Sequence, residues 1–172
     1  MSEILTMPKR LIEEARRRGI DVESLFIDTL AKVLNADPNE ISAARLEIAT
    51  KYLEEAKEYL AKNNSIQASE KLYKATEECV KVLAEKYSIE EYRKALESSR
   101  WLVGLLDKAV VTLSRTLNEH RIMDTWNSAY YLHVQGFHDA KLNIEEVEVR
   151  LPKVEWFINY VKERLSIGKQ IL

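Results

Sequence analysis

Cysteine is nearly missing from this chain of 172 residues, where Cys79 stands alone. An intrachain disulfide and any multi-cysteine zinc site are thereby excluded, a pattern that fits a reducing cytosol. Glycine (4) and proline (3) are almost as scarce, so the chain has few residues suited to tight hairpin turns and an all-β fold is disfavoured. No apolar run approaches the roughly 18 residues of a membrane span, and the stretch MSEILTMPKR lacks the apolar region of a secretory signal. A cytoplasmic protein without a membrane partner is the expectation. Charge of one sign is lacking too: 26 basic and 28 acidic side chains leave a net charge of −2, so no global field recruits nucleic acid or anionic lipid. Neither a glycine-rich phosphate loop, a nucleophile elbow, zinc-ligand spacing nor a Glu-x-x-His pair occurs, and no cofactor is expected.

What remains is rich in Leu, Ala, Glu and Lys, and this mixture favours helix nearly throughout. With 46% hydrophobic residues the chain suits one all-α domain over 1–172, large enough to bury a core without staples. The heavy Glu, Lys and Arg content also resembles a thermophile's. Pro8 stands near the start of a first short helix that stops at Gly19, and Asp21 caps a second whose Leu25, Phe26, Thr29, Leu30 and Val33 form a face to be buried. The second helix ends at Asn35 and Asp37. Asp37-Pro38-Asn39-Glu40 then opens a long helix with Asp at the cap and Pro at the first helical position.

Leu46, Ala49, Leu53, Ala56 and Leu60 form one stripe in that helix, and Ala68, Leu72, Ala75, Cys79 and Val82 form a matching stripe in the next. Asn63-Asn64 breaks the chain between them and Ser65 is placed to cap, so the pair reads as an antiparallel hairpin. Small residues on both stripes allow close approach. Glu54, Glu55, Glu58, Glu77 and Glu78 are assigned to solvated faces. Ser88 with Glu91 reads as a capping box, and Ser98 or Ser99 as the cap of an apolar helix running to Leu117, in which Gly104 suggests a close contact. Met123 to Leu142 reads as a further helix. Asn143 and Glu146 cap the last, which keeps its phase across a kink at Pro152 and ends at Gly168.

The run ARRRGIDVESLFIDTL, the DPNE turn with ISAARLEIATKYLEEAKEYLAKNNSIQASEKLYKATEE, and WNSAYYLHVQGFHDAKL together resemble the crenarchaeal PaREP family of uncharacterised proteins. Through its helical core that family is similar to HEPN (higher eukaryote and prokaryote nucleotide-binding) domains. The resemblance implies an antiparallel bundle of about seven helices: a two-helix N-terminal extension over 1–36 and a HEPN-like core over 37–172. It further implies a homodimer and an RNA- or nucleotide-related role of toxin–antitoxin or defence type. Tetratricopeptide-like spacing in the hairpin suggests the alternative of a non-enzymatic scaffold that binds a protein partner, but no second repeat follows at the required period.

HEPN ribonucleases carry an Arg followed, after a short spacer, by a His, which together give the phosphate a cation and the 2′-OH a proton carrier. Arg115 and His120 match that spacing and are the catalytic candidates. Thr116 departs from the more polar residue common after that Arg, and a helix end favours both side chains for dipole reasons alone. The second candidate is a narrow face bearing Trp126, Tyr130, His133 and Phe137, which could stack a base or simply be core. Gly136 on that helix implies a close neighbour. His133 and His138 stand about 140° apart on a regular α-helix, so they are not expected to share a metal, and no metal site is expected. Arg16, Arg17 and Arg18 read as a solvated face.

Overall fold

The computed structural model describes residues 5–18 and 20–167. Gly19 and Gly168, the expected helix stops, lie outside the described residues. Among the described residues there is no strand, and the all-α class is confirmed. The chain forms two compact units, Met1–Ile41 and Ser42–Leu172.

In the first unit, α1 (Lys9–Arg17) follows Pro8 and α2 (Val22–Leu34) starts at Asp21, whose carboxylate accepts the Ser24 amide at 3.0 Å. Asn35 closes α2 in the left-handed region at φ 47°, a conformation its short polar side chain tolerates. Leu25, Phe26, Leu30 and Val33 do not bury as the periodicity predicts: all four are exposed, Val33 by 73%. Arg17 and Arg18 pair with Glu14 of their own helix. The first turn of α3 (Pro38–Ala61) belongs to this unit, and the Asp37 carboxylate accepts the Asn39 amide at 2.7 Å, capping the helix as the sequence indicates.

The second unit is arranged around α4 (Ser65–Lys86), which packs against α5 (Glu90–Ser98), α6 (Val103–Thr116), α7 (Arg121–Tyr131), a π-helical segment (Leu132–His138), α8 (Ile144–Glu148) and α9 (Leu151–Ile167). That position explains its composition. Ala68, Leu72, Ala75, Cys79 and Val82 are fully buried, and so are Val80, Leu83 and Ala84 on other sides of the helix. Ala49, Tyr52 and Ala56 of α3 have no exposed surface, and Lys71 of α4 sits 4.7 Å from the Tyr52 ring centre, so the predicted hairpin forms. Each fully buried Leu, Val or Phe side chain contributes about 1.5–3 kcal/mol.

Several local expectations shift. Asn64, not Ser65, caps α4 by accepting the Gln67 amide at 3.1 Å, while Asn63 makes the turn at φ 56°. Ser88 and Ser99 do not cap the helices that follow: both adopt positive φ, 47° and 55°, and end α4 and α5. Helices α5 and α6 begin at Ile89 and Leu102 without a side-chain cap. Gly104 faces open space rather than a neighbour, because it lies in the first turn of α6. The kink expected near Pro152 is a full break: α8 and α9 are separate helices joined at Val149 and Arg150, consistent with the amide that proline cannot donate. The capping box of Asn143 with Glu146 forms as expected.

Glu78 overturns its assignment to a solvated face. It is 1% exposed and accepts from Arg45 Nη1 at 2.7 Å and from Lys81 Nζ at 2.8 Å. Burial pushes its carboxyl up, yet the Lys81 and Arg45 charges and hydrogen bonds outweigh that and hold it at about 2.

Candidate functional site

The helix expected over residues 123–142 is α-helical only to Tyr131, and the next seven residues widen into the π segment. Such turns bond residue i to i+5 and gather at functional sites. Gly136 is where the wide turn meets α4. A Cβ there would stand 2.6 Å from the Ser69 Cβ and closer still to its Oγ, so the close neighbour inferred for this glycine is real.

The π turn corrects the expected divergence of His133 and His138. Their Nε2 atoms lie 3.1 Å apart, with the rings nearly perpendicular at 81° and their centres 4.4 Å apart. On the other side of its ring, His133 Nδ1 meets the Glu70 carboxylate at 2.9 Å. Tyr73 stacks on the His133 ring with centres 4.0 Å apart. Burial, helped by the Glu77 and Glu70 charges, pushes the Tyr73 phenol far above its ordinary range, so it stays neutral.

An ionised carboxylate only accepts, so His133 donates to Glu70 from Nδ1. One proton lies between the two Nε2 atoms, donated by His138 when the His133 ring is neutral. Glu70 and His133 are partly buried while His138 is exposed, so the chain of groups leads from the protein interior to its surface. Chemically it can hold a proton and pass it outward.

Trp126, Tyr130, His133 and Phe137 do form a row, with successive ring centres 6.3, 6.5 and 6.1 Å apart. Its members differ in exposure. Trp126 is 2% exposed and donates from Nε1 to Asp107 at 3.1 Å, which makes it core, whereas Tyr130 is 42% exposed.

Arg115 occupies the last turn of α6 and His120 the position just before α7. Both side chains are exposed, and among the described residues no hydrogen bond or ion pair joins them. The connection between them is held by Ser114, whose hydroxyl donates to the Glu119 carbonyl at 3.1 Å, and by the Glu119 carboxylate, which accepts the Arg121 amide at 3.0 Å. The Arg121 guanidinium lies 4.0 Å from the Trp156 ring centre, Trp156 contacts Tyr160 at 5.2 Å, and Arg164 lies 4.9 Å from the Tyr160 ring. Burial raises the Tyr160 phenol, with Arg164 opposing and the Tyr87 and Glu119 charges adding to the rise.

Sequence reasoning missed Glu70 and Tyr73, whose partner is some sixty residues away in the chain and carries no local signal. It also missed Arg121, Trp156, Tyr160 and Arg164. The spacing of four from Trp156 through Tyr160 to Arg164 was a visible signal, since such residues share a helix face.

The model of the archaeal PaREP1/PaREP8 family matches residues 44–158, and the chain belongs to that family. The fold is similar to a crystal structure of a Sulfolobus solfataricus protein, 36% identical, with a TM-score of 0.63 over 68% of this chain and 95% of that one. A solution structure of the same structural-genomics target is 37% identical, with a TM-score of 0.61 over 68% and 90% of the two chains. No significant match is found among curated proteins.

Proposed function

We propose that this member of the archaeal PaREP1/PaREP8 family binds single-stranded RNA as a HEPN-like bundle. The observation that carries the reading is the arginine–aromatic face beside the α6–α7 connection, where Arg121 lies on Trp156 and Arg164 on Tyr160. Tyr160 is buried and Trp156 half-buried, each with an arginine over its ring, so the guanidinium planes are the faces open to unpaired bases, which they stack whatever their sequence. Arg115 and His120 flank the same connection with exposed side chains and are available to a phosphodiester. Tyr130, His133 and Phe137 offer a second ring edge, supported from the core by Trp126. In fluorescence anisotropy with a labelled RNA oligomer, wild type binds saturably at low salt and the double variant Arg121→Ala/Arg164→Ala weakens binding at least tenfold. Absence of saturable binding by wild type overturns the reading. Should wild type cleave the oligomer, His120→Ala abolishes that cleavage, and cleavage that survives the substitution leaves the protein a binder alone.

A second, compatible reading concerns a partner. The α2 face of Leu25, Phe26, Leu30, Val33 and Leu34 is exposed, and a contiguous apolar face of this kind marks an interaction surface. We assign it to a second copy of the chain, because two-fold homodimers are the commonest assembly. A stable protein partner of another kind, in a scaffold without RNA, would be seen instead as a monomer that fails the anisotropy test.

A further inference from the structure

We propose that His133 and His138 form a chelating site for a divalent late first-row transition metal such as Zn²⁺, with Glu70 orienting the inner ligand. The site goes beyond RNA binding and does not depend on it.

Geometry carries the argument. Two imidazole nitrogens bound at 2.0–2.1 Å to one metal are about 2.9 Å apart for a right angle at the metal and about 3.3 Å apart for a tetrahedral one. The observed Nε2 to Nε2 distance of 3.1 Å falls between these. The ring centres are further apart, at 4.4 Å, so the Nε2 atoms are nearer to each other than the rings are, and a small rotation of the exposed His138 ring brings both lone pairs onto one ion.

The second coordination layer is also in place. A metal-bound histidine ordinarily donates its other ring N–H to a carboxylate, which fixes the tautomer and strengthens the ligand. His133 has that partner in Glu70 at 2.9 Å, and the Tyr73 ring holds its plane. Its Nε2 lone pair is therefore already the free one. His138 needs only to move its proton from Nε2 to Nδ1, an exchange that exposure to water makes easy, and binding then breaks the N–H···N bond and forms two metal–nitrogen bonds without net proton release. Among the described residues no third His, Cys, Asp or Glu completes the set, so water fills the remaining positions and the ion stays accessible. Such a site binds and exchanges its metal, unlike a closed structural zinc site.

Calorimetric titration of the full chain with Zn²⁺, without RNA, tests the site. The expected result is one equivalent taken up by wild type, at least tenfold weaker binding in His133→Ala and in His138→Gln, and about tenfold weaker binding in Glu70→Gln, the usual loss for an outer-layer partner. Because His138 is exposed, its replacement leaves the fold intact, which circular dichroism verifies. Nitrogen-15 spectra of wild-type imidazoles give a second readout: Zn²⁺ shifts Nε2 of both rings and leaves Nδ1 protonated. No saturable uptake by wild type overturns the proposal, as does uptake that persists in the His133→Ala/His138→Ala double variant. RNA binding is measured separately, so either reading can fail while the other stands.

Discussion

Glu78 shows what a single residue does to the whole stability profile. Its carboxyl is held at about 2, below the ordinary 4.5, because Lys81 and Arg45 outweigh the effect of burial. As pH falls, the unfolded chain takes up this proton before the folded one. The stabilisation is therefore complete above about pH 4.5 and is lost as pH falls through about 2. Lys81 moves the other way: burial pulls it down, but Glu77 and Glu78 raise it above 10.5, so its contribution is complete below that pH and declines above it. Glu78→Gln removes the counter-charge that Arg45 and Lys81 share, while Lys81 keeps Glu77 at 2.7 Å, and should cost about 3 kcal/mol at neutral pH, read from urea denaturation. The acid limb of the wild-type profile should flatten in that variant. A neighbouring residue gives a second check. Burial, and then the Glu78 charge, push the Cys79 thiol far up, so it should not react with a thiol reagent in the native chain and should react on unfolding.

Among the elements, the π segment is the one whose geometry creates chemistry that the periodic pattern hides. Five residues of separation put His133 and His138 on different sides of an α-helix and on one side here. The extra width is accommodated at Gly136, against Ser69. Gly136→Ala should therefore destabilise the protein by about 1–3 kcal/mol, the usual cost of overpacking. The loss should shrink in the double variant with Ser69→Gly, which removes the two nearest atoms the new methyl would strike and leaves Leu142 Cδ1 at 3.3 Å. Equal losses with and without Ser69→Gly would mean that the contact is not what fixes the turn. Caps show the same contrast between what is local and what is not. Asp21, Asp37 and Asn143 cap as the sequence indicates because the capping oxygen, the amide that donates to it and the first turn lie within a few residues. Ser88 and Ser99 fail because the preceding helix claims them as left-handed terminators, a choice made by how far that helix extends. Nothing in their own side chains announces it.

For the whole molecule, hydrophobic phase located the hairpin and the final helical stretch, since Ala, Leu and Val at helical spacing have few alternatives to facing inward. Phase did not mark Trp156, Tyr160 and Arg164, although their spacing of four puts them on one helix face. What phase cannot supply is the identity of a partner far away in the chain, which is why Glu70 went unnoticed beside His133, 63 residues on, and Arg45 beside Glu78, 33 residues on. The α2 face is the converse case, an amphipathic pattern left exposed where the periodicity predicts burial. Covering the exposed parts of Leu25, Phe26, Leu30, Val33 and Leu34 with a second copy would remove apolar surface from water at about 25 cal/mol per Å², which favours a dimer. Light scattering should then give about twice the 20.0 kDa of one chain. Leu30→Glu with Val33→Glu should return it to one chain, because two carboxylates at the centre of such an interface face their symmetry mates. Since Leu30 and Val33 are exposed within the chain itself, the same variant should keep the helical circular dichroism of wild type. A wild type already at the mass of one chain removes the dimer and leaves the α2 face to another partner.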